Sequence, residues 1–349
     1  MRVVVVGATG NAGTALLRAL ATEDAVEAVV GVARRRPDWS APKTAWRTAD
    51  VARDDLEPLM RGADAVVHLA WLIQPSRDER VLHAVNVEGS ARVFDAAARA
   101  GVGAIVYASS IGAYAPGPKD PPVDESWPTD GVARSFYGRH KAAVERQLDG
   151  FKAEHPDIRV VRLRPGLKFQ RSAASEIRRL FVGPLLPGPL VRRGLIPVVP
   201  THPRLRVQAQ HTDDAADAYR RALVTDVRGA FNIAAEPVLD GEVVARLLGA
   251  RTVPVSARAL RGLAAGAWRA RLQPTEPGWV DLALAVPLMD TTRARRELGW
   301  TPRHSATEAF MELFDGLHDQ AGGPTPPLDV RAGGPGRVRE LLTGVGQRV

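Results

Sequence analysis

The chain has 349 residues, 45% hydrophobic and 25% charged, with a net charge of +8 and no cysteine. That is a globular balance, long enough for one large α/β domain or two smaller units, and it excludes disulfides, thiolate metal sites and cysteine nucleophiles. No apolar run reaches the roughly 18 residues of a membrane span, and the N-terminal run is too short for a signal peptide, so a soluble, cytoplasmic protein is expected.

Residues 3–6 are four valines followed at once by Gly7, the mark of a buried strand. A helix follows over Asn11–Ala21, then a strand over 26–33, a short helix over 54–61 and a strand over 65–70. Residues 81–100 read as one long helix stopped by Gly101. A strand over 103–109, a helix over 137–152 and a strand over 158–163 complete the first half. Continuous apolar strands alternating with helices specify a parallel sheet covered on both faces. We therefore expect a Rossmann-type doubly wound α/β core over residues 1–166.

Past Gly166 the pattern loosens. Residues 167–320 are expected to form mainly a smaller C-terminal substrate-binding lobe, with a segment near 207–235 returning to the core. Helices are expected over 213–223, 240–248 and 290–299, and a strand over 230–233. From Gly322 onward Gly and Pro accumulate, so 321–349 is expected to be a flexible tail, with a turn of helix at 338–342. Arginine is abundant, but no nucleic-acid motif accompanies it, so neither nucleic acid nor membrane is expected as a partner. No His/Asp/Glu spacing suggests a metal site.

The stretch Gly7-Ala-Thr9-Gly10-Asn11-Ala12-Gly13 joins the first strand to the first helix. Glycines at this spacing let the backbone turn sharply and let a pyrophosphate approach, and the helix N-terminus offers unpaired N–H groups to an anion. Strand–turn–helix is the context that such a motif requires. The second strand ends in Arg34, Arg35 and Arg36, where a carboxylate would bond the ribose of NAD. Arginines suit a 2′-phosphate, so NADP is expected, with NAD kept open by nearby Asp38. Asp50, followed by Val51, suits the adenine end.

Nine stretches in order resemble the extended short-chain dehydrogenase/reductases, the NAD-dependent epimerase/dehydratase family. They are GATGNAG at 7–13, DAVVHLAW at 64–71, NVEGS at 86–90, VYASSIGAY at 106–114, YGRHK at 137–141, RLRPG at 162–166, HTDDAADA at 211–218, FNIA at 231–234 and DTTRARRELGWTP at 290–302. The resemblance implies Tyr137 as general acid/base, Lys141 as its partner and Ser110 as the hydroxyl holding the substrate oxygen, with Ser109 the neighbouring alternative. It implies Asn86, Leu69, Ala70, Trp71, Pro165, Gly166 and Leu167 along the cofactor. One helical turn sets Lys141 beside Tyr137. An ammonium nearby would favour the phenolate of a tyrosine whose free pKa is about 10. His68 and His83 read as structural, and Asp213 or Asp214 as a helix N-cap.

Family dehydratases carry an Asp-Glu pair after the active-site hydroxyl. Here Ser110 is followed by Ile111 and Gly112, so dehydration is set aside. The main expectation is an NAD(P)-dependent oxidoreductase interconverting a ketone and a secondary alcohol. The alternatives are a nucleotide-sugar epimerase that retains NAD and a non-catalytic cofactor-binding protein. Residues 177–212 lack any acid and hold six arginines. Among them Arg204 and Arg206, with Trp71 and Ser110, are candidate substrate contacts, either for a diphosphate or beside an apolar pocket. The resemblance also implies a homodimer through the helices at 81–100 and 137–152, whose alanines at 96, 97, 98, 142 and 143 suit close packing there or on the sheet equally.

Overall fold

The computed structural model describes residues 1–183 and 191–332, and the turn expected at 338–342 lies outside the described residues. The first half supplies β1 (Arg2–Val6), β2 (Ala28–Ala33), β3 (Thr44–Thr48), β4 (Ala65–His68), β5 (Ala104–Ala108) and β6 (Arg159–Pro165). There follow β7 (Leu167–Phe169), β8 (Val198–Thr201), β9 (Arg206–His211), β10 (Gly229–Ile233), β11 (Ala235–Asp240) and β12 (Arg251–Pro254). Seven strands form one sheet in the order β10-β6-β5-β4-β1-β2-β3. Every neighbouring pair in it is parallel. Val4 on β1 lies between Val30 on β2 and Val66 on β4, so β1 is central and tolerates only apolar side chains. The strand order reverses between β1 and β4, and ligands of open parallel sheets bind beyond the strand ends at that switch.

Helices cover both faces. On one, α1 (Asn11–Ala21) buries Leu16, Leu17 and Leu20 against the sheet, together with Tyr219 and Trp300 from the second half. On the other lie α2 (Glu57–Met60), α3 (Glu79–His83), α4 (Gly89–Arg99) and α5 (Phe136–Glu154), with Val93, Phe94, Val144 and Leu148 in the core. The alanines at 96, 97 and 142 are buried within the chain itself, as packing on the sheet requires. After α6 (Ala174–Ile177), helix α7 (Thr212–Val224) packs on α1, and β10 then pairs with β6. The remaining helices are α8 (Gly241–Leu248), α9 (Ala257–Arg269), α10 (Gly278–Ala285), α11 (Thr292–Arg296) and α12 (Ala306–His318). Two small sheets, β11-β9-β7 and β12-β8, accompany them.

Several expected elements differ. Residues 81–100 are not one helix: a π-turn at Ala84–Glu88 separates α3 from α4. Asn86 sits in that turn and pairs with both backbone groups of Leu72, at 2.7 and 2.8 Å, a distant partner that periodicity does not reveal. The 290–299 helix shortens to α11, because Gly299 turns at φ +60° and Trp300 dives into the core. The N-cap of α7 is His211, which accepts from the Asp213 N–H. Asp213 pairs with Arg18 at 2.6 Å, and buried Asp214 accepts from the His304 N–H. Residues 321–332 are packed rather than loose. Leu328 is 1% exposed, and the Gly323 N–H donates to its carbonyl at 2.8 Å, so Gly and Pro here shape a compact turn.

Trp300 is fully buried and its indole N–H donates to the Asp214 carbonyl at 2.8 Å. Trp300→Ala should lower stability by about 3–5 kcal/mol in a denaturant titration. A loss under about 1 kcal/mol would mean that this corner is not part of the core.

Candidate active site

Strand β1 delivers Gly7 to the switch point with φ +87°. A Cβ there would lie 2.5 Å from the Ala70 nitrogen, and one on Gly13 would lie 2.5 Å from the Gly7 carbonyl, so neither position admits a side chain. A Cβ on Gly10 would meet only the Gly7 oxygen at 3.7 Å, which leaves its outer side open to a close ligand. Gly10 caps α1 without a side chain, so the backbone N–H groups of Asn11 and Ala12 form the helix N-terminus. Such a cradle fits the pyrophosphate of a dinucleotide.

The far side of the cradle is built by the second half. The Asn11 amide donates to the Lys168 carbonyl at 3.3 Å, and Gln170 donates to the Asn11 side-chain oxygen at 2.6 Å. Half-buried Glu176 on α6 faces the Asn11 backbone N–H. Burial pushes its pKa up to about 7, against the pull of Arg179, the Asn11 N–H and Lys168. An acidic side chain thus already answers the positive end of α1. Burial likewise lowers Lys168 to about 8.

Arg34 and Arg35 are exposed just beyond β2. Asp50 and Val51 follow β3. The Asp50 carboxylate accepts from the Ala52 N–H at 3.0 Å, which ties it to its own turn. Leu69, Ala70 and Trp71 leave the end of β4, with the Leu69 N–H on the Val6 carbonyl at 2.8 Å. Pro165 ends β6, and Gly166 donates to the Ile233 carbonyl at 3.0 Å, ahead of exposed Leu167.

Helix α5 starts at Ser135, whose hydroxyl accepts the Gly138 N–H at 3.3 Å. Its first turns carry Tyr137 and Lys141. The Ser110 side chain lies beside Tyr137 at Gly112 and accepts the Gly112 N–H at 3.0 Å. A Cβ on Gly112 would lie 2.8 Å from the Tyr137 ring, so glycine there permits the approach. Burial raises the Tyr137 pKa, and the Ser110 hydroxyl works against it. The structure does not place the ammonium against the phenol. The Lys141 ammonium donates to the Ala108 carbonyl at 2.6 Å and to the Tyr107 hydroxyl at 3.3 Å. It also sits 3.5 Å from the Trp71 ring centroid, against 5.9 Å for Tyr137. Burial, with the charge of Lys168, holds the Lys141 pKa well below the usual lysine range, and Glu145 opposes this.

A row of half-buried rings faces the tyrosine. Trp71 meets Tyr137 edge-on at 5.8 Å, Trp279 lies 4.9 Å from it on the other side, and Phe181 meets Trp279 at 5.0 Å. Trp279 and Phe181 carry no local motif, and only the fold brings them here.

Behind the site lies a buried ionic cluster that sequence reading missed. Glu145, two turns beyond Tyr137, is fully buried. It accepts from Ser109 at 2.5 Å, from Arg162 at 2.9 Å and from two nitrogens of Arg164 at 2.9 and 3.0 Å. Burial works against its charge, but Arg164, Arg162 and Ser109 outweigh it and hold its pKa at about 2. Ser109 is thereby spent on Glu145, and Ser110 is the serine at Tyr137. The i, i+4, i+8 spacing of Tyr137, Lys141 and Glu145 was the available signal.

Other candidates have different partners. Arg204 donates to the carbonyls of Leu284 and Gly117 at 2.9 and 2.8 Å, and Arg206 to that of Lys119 at 3.1 Å. These bonds tie residues 117–119 to the second half, and the guanidiniums are not joined to the tyrosine cluster by them. His68 bonds Ser90 at 2.9 Å, and burial lowers it to about 3, so it is neutral. His83 pairs with Glu88 at 3.1 Å. Among the described residues no His, Asp or Glu group is arranged to hold a metal, and no helix is long and apolar enough to cross a membrane.

A family model, the NAD dependent epimerase/dehydratase family, matches residues 3–234. The chain belongs to this family. An uncharacterised Mycobacterium tuberculosis protein is 31% identical over 92% of the chain, which spans 31% of that longer protein. The UDP-glucose 4-epimerase of Mycolicibacterium smegmatis is 28% identical, over 90% of this chain and 98% of that enzyme. Among solved structures, MoeE5 in complex with UDP-glucuronic acid and NAD superposes with a TM-score of 0.67 at 22% identity, covering 91% of this chain and 99% of that one. At that identity the likeness shows the fold, which the sheet order above shares.

Glu145→Ala should cost about 3–5 kcal/mol at neutral pH, because it removes the carboxylate that two buried guanidiniums share and leaves buried Arg164 without its ion-pair partner. The folded-state pKa lies below the ordinary carboxylate value, so the contribution is complete above about pH 5 and is lost as pH falls toward 2. Denaturant titrations of Glu145→Gln and the parent should therefore converge as pH is lowered. A gap independent of pH would contradict the ionised pair.

Proposed function

We propose that the chain is an NAD-dependent enzyme that removes a hydride from a secondary alcohol and returns it, with Tyr137 as acid/base, and that its net reaction is epimerisation of a nucleotide-linked sugar. The observation that carries this is the placement of Ser110 and Tyr137 side by side at Gly112, on the sheet edge that also carries the glycine cradle and Lys141. The likeness to UDP-glucose 4-epimerase supports epimerisation over simple reduction. The same comparison, with the NAD in the MoeE5 complex, moves the cofactor proposal from NADP, which Arg34 and Arg35 suggested, to NAD.

Bound NAD would supply the hydride acceptor. Ser110 holds the substrate oxygen. Tyr137 takes the hydroxyl proton as the C–H bond breaks, leaving a ketone, and gives the proton back when hydride returns to the other face. Burial raises the tyrosine, so it needs added positive charge to act as a base near neutrality. Lys141 supplies it from one helical turn away, provided that its ammonium turns from the Trp71 face toward the ligand.

A second reading is reduction of an apolar ketone, favoured by the rings of Trp71, Trp279 and Phe181 beside Tyr137. The two separate by assay: an epimerase converts a UDP-sugar with no net change in nicotinamide absorbance, whereas a reductase consumes reduced dinucleotide in proportion to product. Under either, Tyr137→Phe should lower kcat by about 10²–10⁴-fold and leave NAD binding, read by calorimetry, in place. Unchanged turnover would remove Tyr137 from the chemistry.

A further inference from the structure

One segment reaches the cradle from the far end of the chain. Thr325 is fully buried, and its hydroxyl donates to the Thr9 carbonyl at 2.7 Å across a separation of 316 residues. Leu328, also buried, anchors the same turn through its N–H on the Thr325 carbonyl at 2.9 Å. The turn is fastened to residues 171–179. Ser175 donates its N–H to the Ala321 carbonyl at 3.0 Å and its hydroxyl to the Asp329 carbonyl at 3.2 Å, and Arg179 donates to the Pro327 carbonyl. That fastened segment follows Gln170, which donates to the Asn11 side-chain oxygen at 2.6 Å. Both neighbours of Gly10 are thus held from the second half, Thr9 by Thr325 and Asn11 by Gln170.

We propose that residues 321–332 are a retaining strap for the dinucleotide, with Thr325 as a positioning residue. Docked, the strap fixes the Thr9–Gly10–Asn11 turn of the glycine cradle, and it closes the cradle on that side. The dinucleotide then leaves only when the strap lifts. Thr325 acts through the Thr9 backbone and takes no part in hydride or proton transfer. The inference rests on the dinucleotide reading of the site and is independent of which alcohol reacts. Slow release suits an enzyme that oxidises and re-reduces one carbon with the same cofactor.

The test is the release rate of NADH from the full chain, followed by fluorescence as excess NAD displaces it, with no substrate present. Thr325→Val keeps shape and removes one hydrogen bond, so release should quicken roughly three- to tenfold. Leu328→Asp breaks the apolar anchor and should quicken it about tenfold or more. Because the chain has no cysteine, Thr325→Cys adds a single thiol whose reaction with an aromatic disulfide reports strap opening. Saturating NAD should slow that reaction about tenfold or more. If Leu328→Asp does not fold, Thr325→Val and the thiol decide. Release within about twofold of the parent in the folded variants, or thiol reactivity indifferent to NAD, overturns the strap while leaving the proposed function standing. A parent chain that binds no dinucleotide overturns both.

Discussion

The site depends on one buried carboxylate. Glu145 joins α5, which carries Tyr137 and Lys141, to Arg162 and Arg164 of β6 and to Ser109 at the end of β5. Three elements that each supply a site residue are thereby held in one register: Tyr137 and Lys141 on α5, Ser110 after β5, Pro165 at the end of β6. Burying these charges costs much of what their attraction returns, so the cluster's main yield is geometry rather than stability. Arg164 extends it by donating to the Tyr114 hydroxyl and the Glu125 carbonyl, and Asn232 on β10 accepts from Tyr114. The network therefore runs beneath the whole catalytic edge of the sheet.

Two kinds of chemistry meet at that edge. The cradle at residues 7–13 uses backbone N–H groups and the absence of side chains, so it is set by glycine and by the parallel strands that deliver it. The Tyr137–Lys141 pair uses side chains in a poorly hydrated place, where burial raises Tyr137 and lowers Lys141 together. Both shifts disfavour the charged forms. Under the proposed function, ligand charge and the release of Lys141 from the Trp71 face would activate the pair.

What was legible in the sequence follows contact range. The valine run of β1, the glycine spacing after it and the Ser-Tyr-Lys order are local or nearly so, and the sheet and candidate site grew from them. Asn86 was placed near the cofactor, but its π-turn was not foreseen, because the turn follows from bonds to Leu72 fourteen residues earlier. Trp279, Phe181 and Thr325 reach the site from more distant parts of the chain and carry no pattern of their own. Helix α12 is a different case: Ser305 and Glu308 form a capping box that the sequence displays as S-x-x-E. The Gly- and Pro-rich stretch after residue 320 was read by composition as loose, whereas Thr325 and Leu328 fix its first twelve residues in place.

The central claim is that the Gly7–Gly13 turn and the Tyr137–Ser110 centre serve one bound nicotinamide dinucleotide. The most direct measurement is quantification of dinucleotide released when the purified chain is denatured, before and after incubation with NAD. The account predicts stoichiometric NAD or NADH, abolished by Gly13→Val, which would drive a side chain into the Gly7 carbonyl. A chain that carries none and takes up none when NAD is supplied would contradict it.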